Sequence, residues 1–506
     1  MMAESMSDHA GAGRGELVLR SARMGGRIVD ITIEAGVVTA IGPELTASRD
    51  AEVVALDGRS VLPGLWDNHV HFDQWTLARK RLDLGSARSA DEVVALVARR
   101  MRTDPPAQGA ALVGAGFRDA LWPDVPHRDL LDPVTGGTPV VLVSADLHCC
   151  WLNSAAARTY GWATHPTGVL RETDWHPIME DTRKVPVTQL DVWAGEAAQA
   201  ASARGVVGVV DFEAPFQLDA WAGRISRGCT ALRVVSSVWP SHLDQAISRG
   251  LRTGDPIPGT AGLLTMGPLK VVSDGSLNTR TAYCQDPYPG LEATAHPCGV
   301  LLVAPEDLVP LLRKAAAAGI DAAVHAIGDK ANTFALDAFA ASGVRGRIEH
   351  AQLLSEPDVA RFAELGVVAS VQPEHAIDDR DVADRYWKGR TSRAFPYRSL
   401  RDAGAELVLG SDAPVAPLDP WVSIAAAVRR SADDRPSWHG EQEIPFDVAL
   451  AASAGPDGPI RVGRRADMIV TEDVPAELDP LALRTLPVAG TMVGGRWTHR
   501  AGLGSP

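Results

Sequence analysis

The chain of 506 residues is poor in cysteine, in aromatic side chains and in positive charge, and each shortage excludes a class of explanation. Five cysteines, Cys149, Cys150, Cys229, Cys284 and Cys298, are odd in number and lack zinc-ribbon spacing, so neither a disulfide framework nor a thiolate metal knot is indicated. They read as reduced thiols. Acidic residues exceed basic ones by fourteen, and no run of Lys or Arg interleaved with aromatics appears, which argues against nucleic acid as a ligand. Nowhere is there an uninterrupted apolar run long enough to span a bilayer, and the first fifteen residues contain no apolar h-region. These absences predict a cytoplasmic soluble protein with no membrane partner and a disordered start over 1–14.

What is present begins with Leu62-Pro63-Gly64-Leu65-Trp66-Asp67-Asn68-His69-Val70-His71-Phe72, an apolar strand that ends in two imidazoles one residue apart. In a strand, residues i and i+2 share a face, so His69 and His71 can grip one ion together. Two half-exposed histidines on an edge strand are the bland alternative. The rest of the chain decides between them. Its length exceeds the usual ceiling for one hydrophobic core, which predicts one large domain of about 250 to 400 residues and a smaller one.

Both ends of the chain read as short alternating strands, with Glu16 to Leu19 and Ile28 to Ile33 at the start and Ala466 to Val470 and Thr491 to Trp497 at the close. The expectation is a β-sandwich built from 15–60 plus 456–500. Between them a unit recurs in which an Ala-rich helix stops at a Gly and an apolar strand follows at once. It appears at Gly205, Gly319, Gly343, Gly366 and Gly404. Gly there supplies the left-handed residue that ends a helix. Apolar strands alternating with helices demand a parallel sheet covered on its outside, and eight strands close into a (β/α)₈ barrel. Adding Val61 to His71, Leu232 to Trp239 and Pro268 to Ser273 to those five gives eight, so 61–455 reads as a TIM-like α/β barrel. A doubly wound open sheet is the runner-up, but no Gly-x-Gly-x-x-Gly follows the first strand.

About 130 residues separate the first two barrel strands, too many for an ordinary loop. A large insertion over 73–200, roofing the barrel mouth, is expected. Ser89-Ala90-Asp91-Glu92 before Val93 to Val97 reads as a capping box opening an apolar helix face. Six of the thirteen tryptophans fall between Trp66 and Trp175. Trp122 and Trp151 among them are candidates for an apolar substrate pocket, with ordinary packing of the insertion as the alternative.

In such barrels the reactive groups come from the C-terminal ends of the strands. There His325 closes Ala322 to Val324, His350 closes Arg347 to Glu349, and Asp412 closes Leu407 to Ser411, each breaking an apolar run. Imidazole and carboxylate suit borderline divalent ions such as Zn²⁺.

Through Pro63-Gly64 to His69-Val70-His71-Phe72, Lys270 to Leu277, His325-Ala326-Ile327-Gly328-Asp329, Arg347-Ile348-Glu349-His350, Gln372-Pro373-Glu374-His375 and Gly410 to Val415, the chain resembles the amidohydrolase superfamily. Within it, the resemblance is to the amidohydrolase 3 group of N-acyl and formamide-type hydrolases. It implies His69, His71 and Asp412 on one metal and His325 and His350 on a second, in a centre of one or two divalent ions, Zn first. Two cations about 3.5 to 4 Å apart need a bridging anion. Lys270, carboxylated by CO₂, is the candidate bridge; Glu172 from the insertion is the alternative, and an ordinary ammonium in a one-metal enzyme is a third reading. The implied reaction is hydrolysis of a non-peptide, amide-like C–N bond of a small molecule by a hydroxide generated at the metal. Asp412 is the expected proton carrier, with His375 and His148 near the reacting carbonyl and Arg280 receiving a substrate carboxylate. Ester hydrolysis, decarboxylation and metal binding without catalysis remain as alternatives, and a second copy of the chain remains open as a partner.

Overall fold

Eight apolar segments form one parallel sheet: β1 (Leu65–Val70), β2 (Val206–Asp211), β3 (Arg233–Val238), β4 (Leu264–Val272), β5 (Ala322–Ala326), β6 (Gly346–His350), β7 (Val368–Val371) and β8 (Leu407–Leu409). The computed structural model describes residues 15–503, except 108, 118, 120–121, 145–148, 183, 215 and the side chains of 171–173, 176, 179 and 180. The expected disordered start at 1–14 lies outside the described residues. Neighbours in the sheet run in sequence order from β1 to β8. Beyond β8 the chain returns to β1, where the Asp412 N–H donates to the His69 carbonyl at 2.7 Å and the His71 N–H to Ala413 at 2.9 Å. The sheet is thereby a nearly closed barrel with helices between its strands, the TIM-like α/β fold that alternating strands and helices predict.

The glycines that punctuate the predicted units, Gly205, Gly319, Gly343, Gly366 and Gly404, all have positive φ. At Gly343 and Gly366 that residue is the left-handed C-cap of the helices Asp329–Ser342 and Glu356–Leu365. Behind the strands, Leu308, Leu312, Phe339, Phe362 and Leu400 are buried against Val324, Ile348 and Ala369 in one apolar core.

The predicted first strand, Val61 to His71, is two strands. Ser60–Pro63 pairs antiparallel with Met468–Thr471, and only Leu65–Val70 enters the barrel. Gly64 separates them because a Cβ there would lie 2.4 Å from a Val207 methyl, so only a bare backbone passes. The terminal sheet is one hydrogen-bonded network in the order Arg496–Arg500, Val488–Val493, Met468–Thr471, Ser60–Pro63, Leu17–Met24, Arg27–Glu34, Val37–Gly42, with Glu52–Ala55 also paired to Leu17–Met24. Its own core holds Leu19, Ile31, Val54, Met468 and Met492.

Arg233, first residue of β3, ties the barrel to this sheet through Nε and Nη2 to the two carboxylate oxygens of Asp467, at 2.6 and 3.0 Å. Asp467 also accepts the Gly494 N–H. Breaking a buried ion pair from one side leaves the other charge uncompensated. Arg233→Ala should therefore cost about 3–5 kcal/mol of stability, read as a lowered denaturant midpoint, and a loss under 1 kcal/mol would show that water replaces the guanidinium.

Residues 73–194 form a separate compact unit, and 195 onward cluster with the barrel, so the division falls inside the helix Val187–Ser202. This unit has a five-stranded sheet in the order Val169–Arg171, Cys149–Leu152, Val140–Ser144, Leu112–Phe117, Leu82–Asp83, parallel among the last three and antiparallel in the first two pairs. Its helix Ala90–Thr103 is capped by Ser89, whose hydroxyl accepts the Glu92 N–H at 3.1 Å. Glu92 reaches the Arg88 N–H instead of that of Ser89, so the box closes one residue early. Among the described residues no disulfide joins the cysteines, and no helix is long and apolar enough to cross a membrane.

Candidate metal centre

Each predicted ligand sits at the C-terminal end of a barrel strand, and the structure brings them together. Ligand atoms of His69, His350 and Asp412 all lie within 4.8 Å of one another, and all three residues are buried. The Nε2 atoms of His69 and His71 each stand 3.4 Å from Asp412 Oδ1. The His325 and His350 rings are 4.4 Å apart edge to face, and His350 lies 5.2 Å from His69. Lys270 Nζ is 3.4 Å from His69 Nε2 and 4.4 Å from the Phe212 ring. His375 stacks 5.9 Å from His350, and its Nε2 lies 4.0 Å from Asp412 Oδ2.

Two of these residues have unusual backbones. His350 has φ +74° and Asp412 φ +58°, a left-handed region that residues with a Cβ seldom enter. Such strain collects where a site over-determines the chain. Gly410, two residues before Asp412, meets His69 so closely that a Cβ would fall 2.7 Å from its backbone N and Cβ.

The electrostatics favour neutral imidazoles beside an ionised carboxylate. Burial, reinforced by the Lys270 ammonium, lowers the His69 pKa to about 4. The same two causes lower His325 to about 3, while burial and His325 depress His350. His71 is the exception: burial acts against its charge, but the bond to Asp412 outweighs it and the pKa rises. Burial opposes the charge on Asp412 as well, yet the surrounding histidines hold its carboxyl well below the usual range. Burial lowers Lys270 to about 8 against the pull of Glu349 and Asp412. Neutral imidazole and carboxylate are the forms that bind metal.

The donor set fits a divalent ion. His71 Nδ1 and His350 Nδ1 are buried without a hydrogen-bond partner among the described residues, as are His375 Nε2 and Gln372 Oε1. A site stocked with buried polar atoms that nothing nearby satisfies is a site for a ligand.

The other predicted residues have surroundings of their own. Arg280 is half-buried in the turn after β4, at φ +58°, with its guanidinium 5.3 Å from the Tyr386 ring. Trp151 is fully buried in the core of the 73–194 unit, and Trp122 packs there 5.8 Å from Phe117. His148 lies outside the described residues, as does the side chain of Glu172. The residue that sequence reasoning passed over is Glu349, whose Oε2 is 2.7 Å from His69 Nδ1 and whose other oxygen accepts from Arg347 Nε. Two charges at i and i+2 in a barrel strand were the available signal, since that spacing aims both at the interior.

A barrel with its histidines and aspartate gathered at the strand ends has the architecture of metal-dependent hydrolases and a group that could hold a metal ion. The chain belongs to the amidohydrolase family, whose model matches residues 52–499. It is 25% identical to the N-substituted formamide deformylase of Arthrobacter pascens, covering 93% of each chain. It is 29% identical to the protein LONG AFTER FAR-RED 3 of Arabidopsis thaliana, over 79% of this chain and 74% of that one. Among solved structures it resembles a metal-dependent hydrolase of Pyrococcus horikoshii OT3 with a TM-score of 0.77 at 25% identity, covering 92% of this chain and 99% of that one.

Proposed function

We propose that this protein is a metal-dependent hydrolase that cleaves a non-peptide, amide-like C–N bond of a small molecule. The observation that carries the reading is the meeting of His69, His350 and Asp412 with ligand atoms inside 4.8 Å, with His71, His325 and Lys270 around them. His69, His71 and Asp412 would hold one ion, and His325 and His350 a second. Zinc suits this imidazole and carboxylate set. A divalent ion supplies an acidified water and polarises a carbonyl.

The side chains do the remaining work. Asp412 divides its oxygens, Oδ1 toward His69 and His71 and Oδ2 toward His375. Oδ2 is thus the atom to accept the proton of the attacking water and return it to the departing nitrogen. His375 Nε2, buried and without a hydrogen-bond partner among the described residues, would stabilise charge growing on the carbonyl oxygen. Lys270 is buried and its amine deprotonates more readily than a free lysine's, which suits addition to CO₂. The nitrogen lone pair bonds the carbon, one N–H proton leaves, and an anionic carbamate results that would join two ions. Arg280, steadied on Tyr386, is the group we assign to a substrate carboxylate. The formamide-cleaving relative supports a small acyl or formyl amide as substrate.

The test is a panel of N-formyl and N-acyl amines, amides and matched esters, with amine and acid release measured separately. Zinc-loaded protein should release both products from an amide, and chelation should remove more than 99% of the rate (about 100-fold) until zinc is restored. Acid release from esters alone would shift the bond assignment. Stoichiometric zinc with no turnover on any substrate would make this a binding protein.

A further inference from the structure

Barrel interiors are ordinarily filled by layers of branched aliphatic side chains. Beneath this site the layer is charged. Glu349 is fully buried, and Arg347, two residues before it on β6, donates to it from Nε and to the Asn68 carbonyl from Nη2. The Arg347 guanidinium lies 5.2 Å from the Phe212 ring, and Lys270 lies 4.4 Å from the same ring. Two charges withdrawn from water carry a desolvation cost that an aliphatic pair would not. Conflicts with the general rule of this kind cluster where function needs them.

What the pair does follows from one bond. Glu349 Oε2 stands 2.7 Å from His69 Nδ1. An ionised carboxylate only accepts hydrogen bonds, so the hydrogen of this contact is on Nδ1. In a neutral ring that leaves the Nε2 lone pair facing Asp412 and Lys270. Gln372 Nε2 also lies against Nδ1, at 3.3 Å, but an amide N–H there would favour the opposite tautomer. The carboxylate is nearer and charged, and it prevails. Arg347 in turn takes the other oxygen of Glu349, so the carboxylate is held in place.

We propose that Glu349, braced by Arg347, is a positioning residue that presets the tautomer and orientation of His69 for metal capture. This inference rests on the metal-dependent reading above and names the group on which loading of the ion depends. An outer partner of a metal-binding histidine typically carries 10- to 100-fold in metal affinity.

Two measurements test it. Zinc affinity of Glu349→Gln, by competition with a fluorescent chelator below the variant's melting transition, should fall about 10- to 100-fold; the metal-free variant should melt lower than the parent, since Arg347 loses its charged partner. In a His69→Asn background the same substitution should change affinity less than twofold. An unchanged affinity in the first background, or an equal loss in both, overturns the proposal. Should the variant not fold, ring ¹⁵N shifts of the unsubstituted metal-free protein decide. His69, identified by its loss in His69→Asn, should show a protonated Nδ1 and a bare Nε2, and the reverse tautomer overturns the proposal. If the unsubstituted protein binds no zinc at all, it is the metal-dependent reading that fails.

Discussion

Replacing Asp412 by Asn should leave the fold standing and remove nearly all turnover, a loss on the order of 10²–10⁴-fold in kcat for the proton transfer alone. The amide cannot take the water's proton, and it coordinates a cation more weakly than a carboxylate. The fold should persist because the Asp412 backbone is held independently of its side chain, by its N–H to the His69 carbonyl at 2.7 Å and by the Val70 to Ala413 bridge. The Tm of the metal-free variant should fall modestly at neutral pH, since the surrounding histidines favour the ionised carboxylate that the neutral amide replaces. Steady-state rates beside a melting curve check this. A variant that kept half its activity with any substrate would remove Asp412 from the chemistry.

Lys270→Met should separate the three readings of the bridge. Methionine matches the lysine stem in length and fills the space against Phe212 without a charge. If Lys270 carries a carbamate, the variant should bind one zinc tightly and lose affinity for the second by about 100-fold or more, since a bridging ligand holds the ion directly and an outer partner alone carries about 10- to 100-fold. The parent prepared with ¹³CO₂ should show a carbamate carbon that the variant lacks. Removing a buried ammonium should leave the metal-free variant at least as stable as the parent. Two tightly bound ions in the variant would eliminate Lys270 as the bridge, and a single ion in both proteins would leave it an ordinary cation.

Much of this was legible because barrels write a repeating script. Helix, glycine, apolar strand and polar terminator recur along the chain, and the positive φ at Gly343 and Gly366 is the physical content of that punctuation. His69, His71, His325, His350 and Asp412 could be picked out since each interrupts an apolar run at a strand end. Pro63 and Gly64 mark the entry into the first barrel strand, but counting Val61 to His71 as one strand hid the change of sheet, which the approach of Val207 explains. The part played by Glu349 was half hidden, since the Arg347 and Glu349 spacing marks a charge pair on one face without showing what it serves. Its partner His69 lies on the first barrel strand and Glu349 on the sixth, and no local pattern reports a contact of such separation. Trp151 follows the commoner of its two readings. An aromatic residue in an insertion suggests a pocket, but this one fills the insertion's own core.

The bonds that zip the last barrel strand onto the first, Asp412 N–H to His69 and His71 N–H to Ala413, belong to the same residues that present the donor atoms. The seam of the cylinder and the grip on the ion are therefore one piece of architecture, drawn from opposite ends of the chain. The carboxylate is the last of these donors in chain order, so the set is complete only when the final strand closes on the first.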